Sequence, residues 1–211
     1  MSNPIRTKIN FEKEKRKKMK KLTALFLGLL LTSATFTAEA KTSVAFGQDV
    51  VNTNINEEEI QTAQEAWGKA LIQISKDYDS TGIEKATETA NAVLDAAYGY
   101  NMGTVLFKPT LTSGEQTFRT TKAGALSYFV GGNKAYPTDT GFALKGWTKY
   151  EYKNAGVIIY GDFALTMGNV ILTDKNGKVT KVDKTWGFKK DHEGKLRIVL
   201  HHSSLPYVAA K

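Results

Sequence analysis

Apolar side chains after residue 56 recur at spacings of three, four and seven residues: Ile60, Trp67, Leu71, Ile74 and Tyr78. That spacing places them on one face of a helix. Asn56 is a good N-cap, and the three glutamates after it lie where the helix dipole favours acidic residues. The pattern predicts a helix from about Asn56 to Asp79 and a second from about Ile83 to Tyr98, joined as an antiparallel hairpin.

After residue 101 the pattern changes to short apolar runs and alternation, which is typical of strands. Short extended segments are predicted around Val105 to Lys108 and Leu126 to Val130. Three turn sequences, 153–156, 174–177 and 191–194, then separate four strands at about 145–153, 157–172, 179–190 and 195–204. These strands are expected to form an antiparallel meander.

A helical hairpin followed by a long antiparallel sheet predicts an α+β fold. We expect the hairpin to pack in the concave face of a strongly curved sheet, a cone-shaped half-barrel. Such a fold leaves a cavity between the sheet and the helices, where converging polar side chains would make a site.

The net charge of +8 does not extend over the whole chain. Residues 1–40 hold nine Lys/Arg and three Asp/Glu, a net of +6, and the remaining residues carry a net of +2. This nearly even balance argues against a nucleic-acid partner. Cysteine is absent, so neither a disulfide nor a thiolate can contribute to folding or chemistry.

The basic leader has the pattern of a secretory signal. A basic run, 13–21, precedes an apolar core, 22–31, and an A-x-A sequence ends at Ala40. The core is shorter than the roughly 20 residues that span a bilayer. We therefore predict a removed leader over 1–40, a flexible arm over 41–56 and one domain over 57–211. The product would be periplasmic or secreted, with no membrane attachment after cleavage. Met19 is an alternative start.

The candidate site lies at the end of the last strand, where two histidines and two serines follow each other. Alternation puts His201 and Ser203 on one face and His202 and Ser204 on the other. Leu196, Ile198 and Leu200 form the more apolar face, so an unbroken strand would turn His202 and Ser204 inward. The residues alone leave both registers open.

Metal and nucleophile chemistry find little support in the spacing. Adjacent strand residues point to opposite faces, so His201 and His202 cannot ligate one ion without a bulge, and His192 falls in a turn. No resident cofactor is predicted, although Mn or Zn is not excluded. No G-x-S-x-G elbow accompanies Ser203.

Four segments, in this order, resemble the iota-class carbonic anhydrases: VLFKPT from Val105, ALSYFVGG from Ala125, GFALKGW from Gly141 and HHSSLPY from His201. That class belongs to the superfamily of cone-shaped folds that includes SnoaL-like proteins and the association domain of calcium/calmodulin-dependent kinase II. The resemblance covers nearly all of the chain beyond the leader.

The resemblance implies reversible hydration of CO2 to bicarbonate in a homodimer that works without metal. It implies that Thr110, Tyr128 and Ser203 bind the substrate and that His201 takes part in catalysis with them. Three hydroxyls can donate hydrogen bonds to bicarbonate-like oxygens. An imidazole with an ordinary pKa of about 6.5 can take the proton that hydration releases.

Two alternatives from other classes stay open at this point. The chain could be a non-catalytic assembly module that forms oligomers through its outer sheet face. It could also bind or isomerise a larger apolar molecule, for which the candidate base is Asp162 on its strand.

Overall fold

The computed structural model describes residues 52–209, and within them two long helices come first. Helix α1 spans Glu57–Thr81 and α2 spans Ile83–Ala97. Asn56 caps α1: its side chain accepts from the Glu59 amide, and the Glu59 carboxylate accepts from the Asn56 amide. The predicted helical hairpin is confirmed. None of the helices in the described part is long and apolar enough to cross a membrane.

The segment predicted as a strand at 126–130 is instead part of a third helix, α3, Lys122–Val130. The Thr121 side chain accepts from the Gly124 amide at the start of α3, and Gly131, with φ +71°, ends it. A five-residue run that is apolar except for Ser127 fits a buried strand and a buried helix equally well by periodicity. The cap upstream, not the apolar run, decides the conformation here.

Five strands form one open sheet in the order β1-β5-β4-β3-β2. Their bounds are β1 Leu106–Lys108, β2 Trp147–Tyr160, β3 Phe163–Asp174, β4 Val179–Lys190 and β5 Leu196–Ser204. Strands β2 to β5 form the predicted antiparallel meander, and β1 adds to β5 in parallel. The helices pack on the sheet, so the α+β class is confirmed, with one parallel pairing that the pattern did not indicate.

The first predicted turn of the meander is wrong, because residues 153–156 lie inside β2. The chain accommodates them as a bulge: Asn154 pairs with Gly168 and Gly156 with Met167, which leaves Ala155 unpaired. The Asn154 amide exchanges two hydrogen bonds of 3.0 Å with Gln64 on α1. The reversal comes at Gly161, whose φ of +59° suits a tight turn.

The hydrophobic core lies between the three helices and the inner face of the sheet. Trp67 of α1 packs edge-on against Trp186 of β4, with ring centroids 5.7 Å apart. Around this pair lie buried side chains from every layer: Leu71, Ala90, Leu94, Phe107, Phe129, Val170, Leu172, Val182, Phe188 and Ile198. The site described below borders this core.

The flexible arm predicted for 41–56 does not hold for its last residues. Ile55 is buried and donates its amide to the Gly161 carbonyl at 2.7 Å. The Lys190 ammonium donates to the Asn54 carbonyl at 2.8 Å. Residues 52–56 are therefore tied to the β2–β3 turn and to β4. The predicted leader and residues 41–51 lie outside the described residues.

A buried ion pair fastens the end of α2 to β5. Arg197 donates to the Asp191 carboxylate at 2.8 Å and to the carbonyls of Asp95 and Ala96, the latter by a short contact. Burial raises the pKa of Asp191, but the Arg197 hydrogen bond and two backbone amides outweigh it, so the pKa lies below its usual value. The pair sets the position of Tyr98, which follows α2.

We expect Arg197→Met to lower the free energy of unfolding by about 3 kcal/mol or more, because it leaves a buried carboxylate unpaired. Urea denaturation at pH 7 measures this. Lys195→Met in the same turn is the matched control, since Lys195 pairs with Glu193 at the surface and its loss should leave the midpoint unchanged. Equal losses in both variants would contradict the assignment.

Candidate functional site

One extra residue in β5 decides which of its polar side chains face inward. Phe188 pairs with Ile198 and Gly187 with Leu200, so Val199 has no partner on β4. The bulge shifts the alternation by one residue. Ile198 is buried on one side of the bulge, and His201 and Ser203 are buried on the other, while His202 is exposed. The sequence left open which pair faces inward, and in the structure it is His201 and Ser203.

Two hydroxyls from distant parts of the chain meet at the end of β5. The Thr110 and Ser203 oxygens lie 2.7 Å apart, and both side chains are buried. Strand β1 runs parallel to β5 with Lys108 beside His202, so Thr110, which follows β1 by two residues, lies near the end of β5, where its hydroxyl meets that of Ser203. One hydroxyl proton is used between the two oxygens. The other can be donated to a third group.

Tyr128 contributes a third hydroxyl, from α3. The helix is held by Ser127, which donates to Asp139 at 2.7 Å, and the Tyr128 ring stacks on Phe142 with centroids 5.4 Å apart. Burial raises the pKa of Tyr128 above its usual range, and the nearby Thr110 lowers it by less. The contact with Thr110 falls short of a hydrogen bond, so within residues 52–209 the buried Tyr128 hydroxyl has no partner.

A solvent-open cleft of about 650 Å³ reaches Thr110 and Phe142. Its walls come from the β2, β3 and β4 ends and from the segment after β5, with apolar side chains alongside lysines: Leu111, Lys145, Trp147, Lys178, Val179, Lys181 and Leu205. A small molecule entering from solvent would meet the Thr110 hydroxyl, with Ser203 in contact behind it. A hydroxyl that lacks a partner is the kind of group that binds a polar ligand.

His201 lies one layer deeper and is not among the residues that line the cleft. Its Nδ1 is 2.8 Å from the Tyr98 hydroxyl and its Nε2 is 2.7 Å from the Lys184 ammonium nitrogen. The ring stacks on Phe107 at 4.5 Å. Burial, then the nearby Lys184 and His202, lower the pKa of His201 well below its usual value. The imidazole is therefore neutral near pH 7 and accepts a proton less readily than the unperturbed histidine assumed from the sequence.

Lys184 is the charged residue that sequence reasoning missed. It lies on the inner face of β4 and is only 5% exposed, and burial lowers its pKa to about 7. Its nitrogen lies 4.4 Å from the ring centre of Trp67 and 5.4 Å from that of Trp186. The signal was present: Val182, Lys184, Trp186 and Phe188 alternate along one strand face, so a lysine replaces an apolar residue on the buried side.

The other residues considered from the sequence lie away from this site. Asp162, the candidate base for an isomerase, sits in the β2–β3 turn, half-exposed and paired with Lys189 at 2.6 Å. His192 is exposed in the β4–β5 turn. Over residues 52–209, no three side chains of the His, Cys, Asp and Glu types come close enough to hold a metal ion.

Comparison with known proteins finds carbonic anhydrases among the relatives of this chain. A carbonic anhydrase from Nostoc sp. (strain PCC 7120), described as metal-independent, is 53% identical over 189 residues, covering 88% of this chain and 92% of the relative. A crystal structure of an iota-carbonic anhydrase from a cyanobacterium, complexed with bicarbonate, superposes with a TM-score of 0.75 at 59% identity. The match covers 77% of this chain and 99% of that one.

The family model for metal-independent carbonic anhydrases matches residues 58–205. This range runs from the first turn of α1 to just beyond β5, so it contains the three helices, the whole sheet and the site. The family's description as metal-independent agrees with the prediction that no resident metal is needed. The chain belongs to the family of metal-independent carbonic anhydrases.

Proposed function

We propose that this carbonic anhydrase hydrates CO2 to bicarbonate at the Thr110–Ser203 hydroxyl pair, with Tyr128 as a third donor. The observation that carries the proposal is the 2.7 Å contact between two buried hydroxyls, one of which, that of Thr110, belongs to a residue lining the cleft. The solved relative that contains bicarbonate supports this substrate.

The chemistry needs an oriented water and donors for the charge that grows on the oxygens of CO2. CO2 is small and uncharged, so a cleft with apolar walls admits it. As the water oxygen bonds to carbon, negative charge develops on the former CO2 oxygens. The hydroxyl proton that Thr110 and Ser203 do not share, and the unpartnered proton of Tyr128, are available to stabilise that charge.

His201 acts from behind this donor set in the proposed site. Both of its ring nitrogens already have protein partners, and its pKa is lowered. It therefore does not serve as the final proton acceptor. Its contribution is to join Tyr98 and Lys184 in one buried hydrogen-bonded layer two residues before Ser203 on the same strand face.

We expect Ser203→Ala and Thr110→Val each to lower kcat/KM for CO2 hydration by about a hundredfold, the scale found for removing one donor to a developing oxyanion. Stopped-flow assays on chelator-treated protein measure this. Ser204→Ala, the neighbouring serine on the opposite strand face, is the matched control and should keep full activity. Equal, full rates for the Ser203 and Ser204 variants would contradict the assignment of the site, whereas an unaltered protein without hydration activity would favour a non-catalytic assembly module.

Export from the cytoplasm is also proposed, and it is supported by the sequence of the leader alone. The basic run over 13–21, the apolar core over 22–31 and the A-x-A sequence ending at Ala40 form a signal-peptide pattern. We expect the mature periplasmic or secreted protein to begin near Lys41. N-terminal sequencing of the exported protein tests this, and an intact Met1 or Met19 on that protein would contradict it.

A homodimer through the outer sheet face is the proposed assembly. Over residues 52–209 this face carries apolar side chains with large exposed fractions, including Leu106 at 59%, Ile158 at 49% and Met167 at 62%. Register places Leu165 beside Ile158 and Leu200 beside Leu106, so the apolar surface extends across several strands. Apolar surface of that extent commonly marks an interface.

We expect the mass measured by light scattering to be that of two chains, and Met167→Lys to shift it to one, because the new charge would be buried between the protomers. Lys149→Met is the control. Lys149 is exposed near the start of β2, away from Gly156, which pairs with Met167, and its replacement should leave the dimer intact. A single-chain mass for the unaltered protein would contradict the proposal.

A further inference from the structure

The lysine behind the hydroxyl pair is buried without a counter-ion. No carboxylate of residues 52–209 lies within salt-bridge distance of Lys184, and its one hydrogen-bond partner there is His201, at 2.7 Å. A permanent ammonium in such a place would be costly. Register pairs Lys184 directly with Ser203 in the β4–β5 ladder, and both side chains lie on the inner face. The Lys184 side chain therefore starts beside Ser203 in the ladder, and its nitrogen contacts His201.

Counting hydrogens along the chain of contacts assigns the protonation state. Trp67 can only donate, and it donates to the Tyr98 oxygen at 3.0 Å. If Tyr98 donates its own proton to His201 Nδ1, a neutral imidazole carries its hydrogen on Nε2, and Lys184 must accept it as a free amine. If Lys184 is an ammonium, it donates to Nε2, Nδ1–H donates to Tyr98, and the Tyr98 proton has no acceptor among residues 52–209. The free-amine arrangement gives the Trp67, Tyr98 and His201 hydrogens of the chain a partner each.

The surroundings of Lys184 balance the two states. The inner faces of α1 and β3 offer it no titratable group, and the remaining elements contribute neutral or basic ones: Tyr98 after α2, Tyr128 on α3, Lys108 on β1, and His201 and His202 on β5. Burial favours the free amine and lowers the pKa of Lys184 to about 7. The two tryptophan faces favour the ammonium. A group held between these effects changes charge easily.

We propose that Lys184 is the proton acceptor of the site, and that His201 changes tautomer but not charge when Lys184 is protonated. The role rests on the proposed function. In hydration, the water oxygen bonds to the carbon of CO2 and one C=O electron pair moves to oxygen. The water proton passes to the Ser203 hydroxyl, whose own proton goes to Lys184 after the amine lone pair turns from His201 Nε2–H toward Ser203, and bicarbonate leaves. The imidazole then loses its Nε2 proton and gains one at Nδ1, with no net change of charge, so that Nε2 accepts from the ammonium. The ammonium then gives its proton to buffer, which restores the free amine.

The test is a titration of the full-length protein by NMR, with ¹³C in lysine and ¹⁵N in histidine. We expect one lysine to titrate near neutral pH, about three units below the ordinary lysine value of about 10.4, and this signal to be missing in Lys184→Met. As pH rises through the same midpoint, the His201 proton should move from Nδ1 to Nε2. A Lys184 midpoint near 10, or a His201 that becomes imidazolium above pH 6, would overturn the proposal.

The pH dependence of the hydration rate is the second test of the proposal. The hydration rate of the unaltered enzyme should rise as pH passes the Lys184 midpoint, because only the free amine accepts a proton. We expect Lys184→Met and Lys184→Arg, the latter charged at every pH, to lose this rise and at least tenfold in kcat. Lys189→Met on the outer face of β4 is the control and should keep the whole profile. An unchanged profile in Lys184→Met overturns the role.

The two arms separate this role from the proposed function. The lysine titration is read on the unaltered chain, so it gives an answer even if the variants fold poorly. An active enzyme whose Lys184 titrates near 10 overturns the proton-acceptor role alone. An unaltered enzyme with no hydration activity overturns the proposed function, and the role of Lys184 falls with it.

Discussion

The unpaired residue Val199 in β5 is the constraint on which the interior of this protein depends. Upstream of it Ile198 fills the core beside Phe188, and downstream His201 and Ser203 point the same way. Without the bulge, strand alternation would carry His202 and Ser204 inward and turn His201 and Ser203 to the outer face. The hydroxyl pair and the His201–Lys184 contact would both be lost. A single inserted residue thus joins an apolar half-strand to a polar half-strand on one face of the sheet.

The polar half-strand is stable because its groups satisfy one another. Buried polar groups are costly unless they are hydrogen-bonded. Trp67, Tyr98, His201 and Lys184 form one continuous chain of contacts, packed among Phe107 and Trp186. The Asp191–Arg197 pair fixes the end of α2 on β5 and so holds Tyr98 against the histidine. Tyr128 is the exception, with a buried hydroxyl left free in the described part of the chain. Its position beside Thr110 is the basis for proposing it as a third donor to the substrate.

Local signals in the sequence predicted the local features of the fold. The Asn56 cap and the apolar spacing of α1 indicated the hairpin, and the turns at 174–177 and 191–194 gave the later strand boundaries. Features that depend on tertiary contacts could not be predicted. Asn154 and Gly156 resemble a turn, yet the Gln64 amide on α1 holds them as a bulge. Thr110 and Tyr128 were identified through resemblance, because no spacing along the chain connects a loop after β1, a helix and the last strand.

Because the family works without metal, its active site needs a protein group that accepts the proton, and the buried lysine is the group proposed for this role. A zinc enzyme prepares its nucleophile by lowering the pKa of bound water from 15.7 to about 7. A site without that cation must take the proton while the C–O bond forms, and general-base catalysis works best when the base has a pKa near the working pH. The pKa of His201 is lowered too far for it to act as this base, and an exposed lysine would already be protonated near pH 7. A lysine shifted to about 7 by burial fits the requirement. The same burial that makes Lys184 costly to the fold therefore makes it useful to the reaction.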